Sequence, residues 1–447
     1  MLANEKSAKQ ERRKQITAER KRLEKAGLLL AEKKYKGFSV HGLPCGADQF
    51  VIVWHHYADL GGVELWRAPW KKTDRSALDL AGIPYAPVTS ADGGRLAFTA
   101  SEGTVVLDTA TWKPLHQTPG NRHMLGMSSD GAFLASRDHV VDGRGVSQSV
   151  VEVLRVSDGS VAAARKIEQV THAAFSPDGS QLVIAGVDLW LLPLSTGGSA
   201  EKRLIGGTLP ANQIVALMTQ VEAFDIQQFE EKFESKVEET VEHTCKWMQL
   251  GCPDMSEQDI AALKRRIREQ MQQQLKSMRT QIEAFRSGQL PVAAQRGTER
   301  PFRVGFARGG ELLLWCATDK GLRVYDWQAV LASDTHLPEP TMRFDSIGQD
   351  EHGLPQSYIY AAAETADGAL VFGGLSEVVY RMDLSTGETR ELLKPPEGGA
   401  VMHLALTAGG RYLGITTRPG FPGSRVSPDK QSQVWQVWDY EALVGRM

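Results

Sequence analysis

Cysteine is scarce in this chain, with four residues, at 45, 245, 252 and 316, among 447. So few thiols exclude a disulfide framework in a protein of this length, and a reducing, cytoplasmic location is the expectation. Long apolar runs are missing as well. The longest near the N-terminus is Leu28 to Ala31, against the ~18 residues a membrane helix requires, and the apolar core of a secretory signal is absent there too. Neither sign of charge dominates. With 51 basic and 54 acidic side chains, a formal −3, the whole-molecule field selects neither nucleic acid nor an anionic membrane. The common catalytic signatures are also lacking: no G-x-S-x-G elbow, no Walker loop, no H-E-x-x-H and no paired C-x-x-C.

What is present is a large apolar fraction, 42%, enough to bury a sizeable core, and a repeat. Its clearest copy begins at Val170 and runs through Phe175, Ser176, Pro177, Asp178 and Gly179. The apolar runs Leu182 to Ala185 and Asp188 to Leu192 follow, and then a Ser195 to Gly198 turn. Short apolar runs that end at Gly/Pro/Asp/Ser clusters predict antiparallel strands joined by tight turns. The same order recurs after Asp48, Asp92, Asp130, Gly309, Asp367 and Gly409, which makes seven copies. Their spacings are 44, 38, 48, 131, 58 and 42 residues. Five are at or near the 40 to 50 residues of a four-stranded propeller blade, and the long one conceals an insertion of roughly ninety. A single blade cannot bury both faces of its sheet, so radial packing is implied.

Phe175-Ser-Pro-Asp-Gly179 followed by a small apolar strand, together with third strands ending Val437-Trp438-Asp439, Val324-Tyr325-Asp326 and Val63-Glu-Leu-Trp66, resembles the tryptophan-aspartate (WD) repeat propellers. The resemblance covers about residues 37 to 205 and 300 to 440. It implies a mainly β, seven-bladed propeller that presents loops to protein partners. No copy has the family's Gly-His dipeptide before its first strand, so the buried Asp-His-Ser/Thr-Trp network is not carried over. The expected organisation is a basic N-terminal helix (1–36), blades one to four (37–206), an antiparallel helical hairpin (207–300) and blades five to seven (301–447).

The hairpin rests on a change of period from two to about 3.6. Ile214, Leu217, Val221, Phe233, Val237 and Val241 share one helical face, and Ile260, Leu263, Ile267, Met271 and Leu275 share another. Ser256 three residues before Asp259 predicts a capped helix start. A hairpin of this length suggests partner docking or self-association, beside the alternative of an inert insertion. The N-terminal segment carries twelve Lys/Arg against five Asp/Glu and an Ile16, Leu23, Leu30 spacing, with Gly27 interrupting it. A helix lying on the propeller, a partner-binding helix and contact with a polyanion all remain open, although aromatic interleaving for base stacking is missing.

Candidates for chemistry are few. His243, Cys245, Cys252 and Asp254 offer zinc-type donors, but residues two apart on a helix diverge. His172 and His403 occupy matching places six residues before their turns, on the innermost strand, where packed histidines are the simpler reading. Trp66, Trp190, Trp315 and Trp438 read as interblade packing. The innermost strands supply Met124, Ala173, Val304, Ala361 and Leu404, with Glu364 the exceptional carboxylate. A channel-centred metal-dependent lactonase or hydrolase would need more oxygen ligands. No cofactor, metal or catalytic residue is therefore expected. The expected function is a non-catalytic interaction scaffold whose working face carries the hairpin and the long loops 138–149, 345–351 and 416–432. Arg418, Arg425, Asp345 and Asp350 are the candidate contact residues.

Overall fold

A computed structural model describes residues 2–36, 39–56, 60–71, 75–78, 85–100, 103–120, 122–141, 147–167, 169–194, 201–205, 233, 236–242, 244–245, 256–286, 299–308, 310–345, 359–396, 398–418 and 432–447. The chain divides into two compact units, residues 1–206 with 299–447, and residues 207–298.

The larger unit is seven four-stranded antiparallel sheets. Blade one comprises β2 (Ser39–Pro44), β3 (Gln49–His56), β4 (Leu60–Arg67) and β5 (Arg75–Leu78). Blade two follows with β6 (Tyr85–Thr89) to β9 (Pro114–Thr118), and blade three with β10 (His123–Met127), β11 (Phe133–Val141), β12 (Ser147–Arg155) and β13 (Val161–Ile167). Blade four runs from β14 (His172–Phe175) to β17 (Lys202–Leu204), blade five from β18 (Pro301–Arg308) to β21 (Met342–Asp345), and blade six from β22 (Ile359–Glu364) to β25 (Thr389–Leu393). The innermost strands touch in cyclic order, β2 to β6, β10, β14, β18, β22, β26 (Ala400–Leu406) and back to β2, so the ring is closed.

The last blade joins the two ends of the chain. β26 (Ala400–Leu406), β27 (Tyr412–Arg418) and β28 (Ser432–Asp439) receive their fourth strand from β1 (Leu29–Lys36), with Leu29 opposite Trp438 and Lys36 opposite Ser432. The expected helix over 1–36 is therefore shorter. It spans Leu2–Lys25 and stops where Gly27, at φ +70°, lets Leu28 N–H reach Leu23 C=O and Gly27 N–H reach Glu24 C=O. That pair of bonds is a Schellman stop, and the accompanying Leu23 to Leu28 contact enters the blade-seven core. Residues 29–36 are Lys/Glu-rich and continue the composition of the helix, but Leu29, Ala31 and Tyr35 are buried, and burial decides the strand.

Local sequence explains the recurrent hairpin between first and second strands. In blades two, three, four and six a Ser or Thr hydroxyl bonds the Asp two residues on (Ser90 to Asp92, Ser128 to Asp130, Ser176 to Asp178, Thr365 to Asp367). The same hydroxyl accepts the N–H that opens the next strand, from Arg95, Phe133, Gln181 and Ala369. The glycine after each Asp has φ between +69° and +74°, the left-handed corner where a side chain is costly. The Asp-Gly signal is thus a complete turn within six residues.

Blades are held to one another by apolar clusters. Trp66, Trp315 and Trp438 are buried in clusters spanning adjacent blades, as expected, while Trp190 is part-exposed between Arg165 and Arg203. Trp435, not singled out in the sequence, is fully buried between blades seven and one. A Cβ on Gly42 would lie 1.9 Å, and one on Gly414 2.1 Å, from its ring. Both positions are glycine because the indole occupies that space. Beside it, Glu64 accepts from Lys33, Tyr35 (2.9 Å) and Trp66 (3.0 Å), tying β1 to blade one.

In the second unit, Glu257–Arg286 is a helix opened by a reciprocal cap: Ser256 Oγ accepts Asp259 N–H at 3.2 Å, and the Asp259 carboxylate accepts Ser256 N–H at 3.1 Å. Residues 236–242 are helical, with Val241 and Cys245 buried and 238–240 exposed. Glu238 and Arg268 join these two segments in a two-bonded ion pair at 2.7 and 2.8 Å. The stretch between them, including His243, Cys252 and Asp254, lies outside the described residues.

Candidate functional site

Antiparallel order fixes which ends of the strands share a face. First-to-second turns leave the ring on one face, while second-to-third connections and the exits from fourth strands leave on the other. The residues at the starts of the innermost strands and at the ends of second strands therefore meet at one mouth of the central channel.

Five histidines gather there: His41, His123, His172 and His403 on innermost strands, and His55 near the end of β3. With them stand Arg303, third residue of β18, and Arg418, last of β27. The channel forms a cavity of about 1210 Å³. His41 and His403 meet edge to face at 5.1 Å between ring centres, and a nitrogen of His41 lies 2.6 Å from Ser39 Oγ. The Nδ1 atoms of His172 and His403 are buried without a hydrogen-bond partner. All three rings are part-exposed into the channel yet closely surrounded by protein. Desolvation first, and then the Arg303 charge, pushes His41 and His172 down to about 3. His403 is held well below its ordinary value by burial and by its neighbours His41, Arg303 and His172. These rings are neutral at pH 7.

The other mouth differs. Glu364, the one carboxylate lining the channel among the described residues, ends β22 there and accepts from the backbone N–H of Arg308. No three His, Cys, Asp or Glu side chains converge as a metal site among the described residues.

His172 and His403 lie where their position before the turn suggested. Met124, Ala173 and Glu364 line the channel too, but three innermost-strand residues lie one place away from those that do. Val304, Ala361 and Leu404 belong to interblade clusters, and their neighbours Arg303, Ala362 and His403 line the channel instead. Arg303 was legible in principle, since it too stands six residues before its turn.

Two of the four proposed contact residues, Asp345 and Arg418, lie among the described residues. Arg425 and Asp350 lie outside the described residues. Asp345 is exposed but bonded at 2.8 Å to Arg323, which Glu299 also clamps through two 2.8 Å bonds. Arg418 faces the channel. The expected 138–149 loop is mostly strand, because β11 and β12 pair as far as Val141 and Ser147.

Comparison with solved structures fits this geometry. Over 93% of this chain and 96% of the other, the protein superposes on a chain in the crystal structure of a mitotic checkpoint complex, at TM-score 0.51 and 11% identity. A second match, the RRP9 WD40 repeats, covers 92% of this chain and 98% of the other at TM-score 0.50 and 10% identity. The fold is that of the WD40-repeat propellers. No family model and no curated protein matches the sequence. The WD40 fold is reached here with a Ser/Thr-x-Asp-Gly turn in four blades and with closure by an N-terminal strand. Among the described residues no helix is long and apolar enough to cross a membrane.

Proposed function

We propose that this protein is a non-catalytic, cytoplasmic interaction scaffold, a rigid WD40-type ring that docks protein partners on the face where its long segments leave the blades. The observation that carries this reading is the asymmetry of the two faces. Residues 206–298, 346–358 and 419–431 depart from the ends of β17, β21 and β27, all on one face, while the opposite face is closed by five-residue Ser/Thr-x-Asp-Gly turns. Connections longer than about 12 residues are uncommon without a purpose. Residues 207–298 act as an antiparallel helical hairpin within this scheme; the Glu238 to Arg268 ion pair and the alternating burial of 236–245 support it. The basic helix Leu2–Lys25 is a second partner-binding element. A channel hydrolase is disfavoured by the lining itself, which sets three arginines and five histidines against a single, already engaged carboxylate.

The test is a crosslinking map of the complex isolated from native lysate, with the full chain and with 208–298 replaced by a short linker. Crosslinks should concentrate on the face of β17, β21 and β27, and charge reversal at Arg425 and Asp350 should weaken capture. Crosslinks confined to the Asp92, Asp130 and Asp178 turns would refute the reading.

A further inference from the structure

We propose that the histidine-rich mouth of the channel binds a polyphosphorylated small molecule, with Arg303 as its central anchor. The proposal is independent of which protein docks on the rim.

Arg303 is the exception among the arginines of the ring interior. Arg323 is clamped by Glu299 and Asp345, Arg122 pairs with Glu152, Arg381 with Asp367 and Tyr440, and Arg137 and Arg95 donate to backbone carbonyls. The Arg303 guanidinium makes no hydrogen bond or ion pair with any described residue, although burial lowers it to about 10. It stays charged at pH 7. An enclosed, unpaired guanidinium is costly, and its planar fork of five donors matches an oxyanion in two-bonded geometry.

Among the described residues its surroundings supply donors and no competing acceptor anion. The titratable groups that face it are His41, His123, His172 and His403 from four other blades, with His55 and Arg418 on second strands. The nearest carboxylate in the lining, Glu364, is at the opposite mouth and already accepts from Arg308. The rings of His172 and His403 line the same cavity and become further donors to an anion once they take up protons. A single carboxylate would use only one side of this ring of donors. Groups spread over blades one, three, four, five and seven suit a ligand bearing several phosphates, and a cavity of about 1210 Å³ has room for a small molecule rather than a lone ion.

Binding also has a direction in pH. An anion seated between the rings favours their protonated forms, so it must bind more tightly as pH falls. Sulfate is a clean probe, because it remains a dianion across the range.

The experiment is calorimetric titration of the full-length protein with sodium sulfate and with tripolyphosphate, at ionic strength matched by chloride, with thermal unfolding in parallel. One-to-one saturable binding is expected, with tripolyphosphate at least about tenfold tighter than sulfate, and sulfate at least about threefold tighter near pH 6 than near pH 7.5. Arg303→Gln should abolish both while leaving the anion-free unfolding temperature equal to or above that of the parent, since it removes an unpaired charge. Arg303→Lys should fold and bind weakly. A His172→Asn, His403→Asn double variant should reduce the pH dependence. The proposal is overturned if the parent shows no saturable binding, if Arg303→Gln still binds, or if Arg303→Gln unfolds at a clearly lower temperature without anion, which would mark the arginine as structural.

Discussion

Blades four and seven contain the same kind of sheet, assembled in opposite ways. In blade four every strand follows its partner within about eight residues of sequence, and Ser176, Asp178, Gly179 and Ser180 supply the first turn's bonds locally. In blade seven the outer strand arrives from the other end of the chain, and nothing local brings Leu29 to Trp438. Lengthening a closed loop from about ten to about 400 residues spans some five doublings at ~0.6 kcal/mol each, so closure costs about 3 kcal/mol more than a hairpin. Burying one tryptophan offsets that. Closure is thus decided by packing at the blade seven to blade one seam, around Trp435 and Glu64, rather than by turn chemistry.

The largest expected effect follows from that difference. Trp435→Ala should cost about 3 to 5 kcal/mol in urea unfolding, more than any single change in a blade-four turn, and a loss below about 1 kcal/mol would show that the seam does not hold the ring. Gly42→Ala comes next: its added methyl would meet the Trp435 ring at 1.9 Å, an overpacking that costs about 1 to 3 kcal/mol.

Acid should act on the channel histidines and the seam before it reaches the turns of blade four. His41 and His172 have folded values near 3, against about 6.5 when unfolded. Between those values the unfolded chain binds more protons, so stability present above about pH 6.5 declines as pH falls below it. Glu64 adds to this at lower pH. Burial alone would raise its value, but the bonds from Lys33, Trp66 and Tyr35 outweigh burial and lower it, so its contribution, present above the ordinary carboxylate range, is lost as pH falls through its folded value. In phosphate-free buffer, His172→Asn should flatten the decline between about pH 6.5 and 5, and Glu64→Gln should alter only the more acidic part; unfolding curves across pH read both. The smallest effect is local. Ser176→Ala removes the acceptor of Gln181 N–H and should cost about 1 kcal/mol; because it also removes the bond that chiefly holds Asp178 below its ordinary value, any change in pH dependence should be confined to the carboxylate range.

The sequence by itself determined the features whose bonds close within a few residues. Ser/Thr-x-Asp-Gly specifies its own turn in four blades, Ser256 and Asp259 cap their helix reciprocally, and Gly27 ends the first one. Tertiary structure alone decided two things. Residues 29–36 read as more of the basic helix, and only the open edge of β28 made them a strand. Which innermost side chains face the channel depended on register shifts at Met124/Gly126, Pro301/Arg303, Ile359/Ala361 and Val401/His403. A strand alternates faces with period two, so one bulge exchanges the residue in the channel for the residue in the core. That exchange hid Arg303 behind Val304, because a bulge is set by the neighbouring strand and leaves no mark in the apolar pattern of its own.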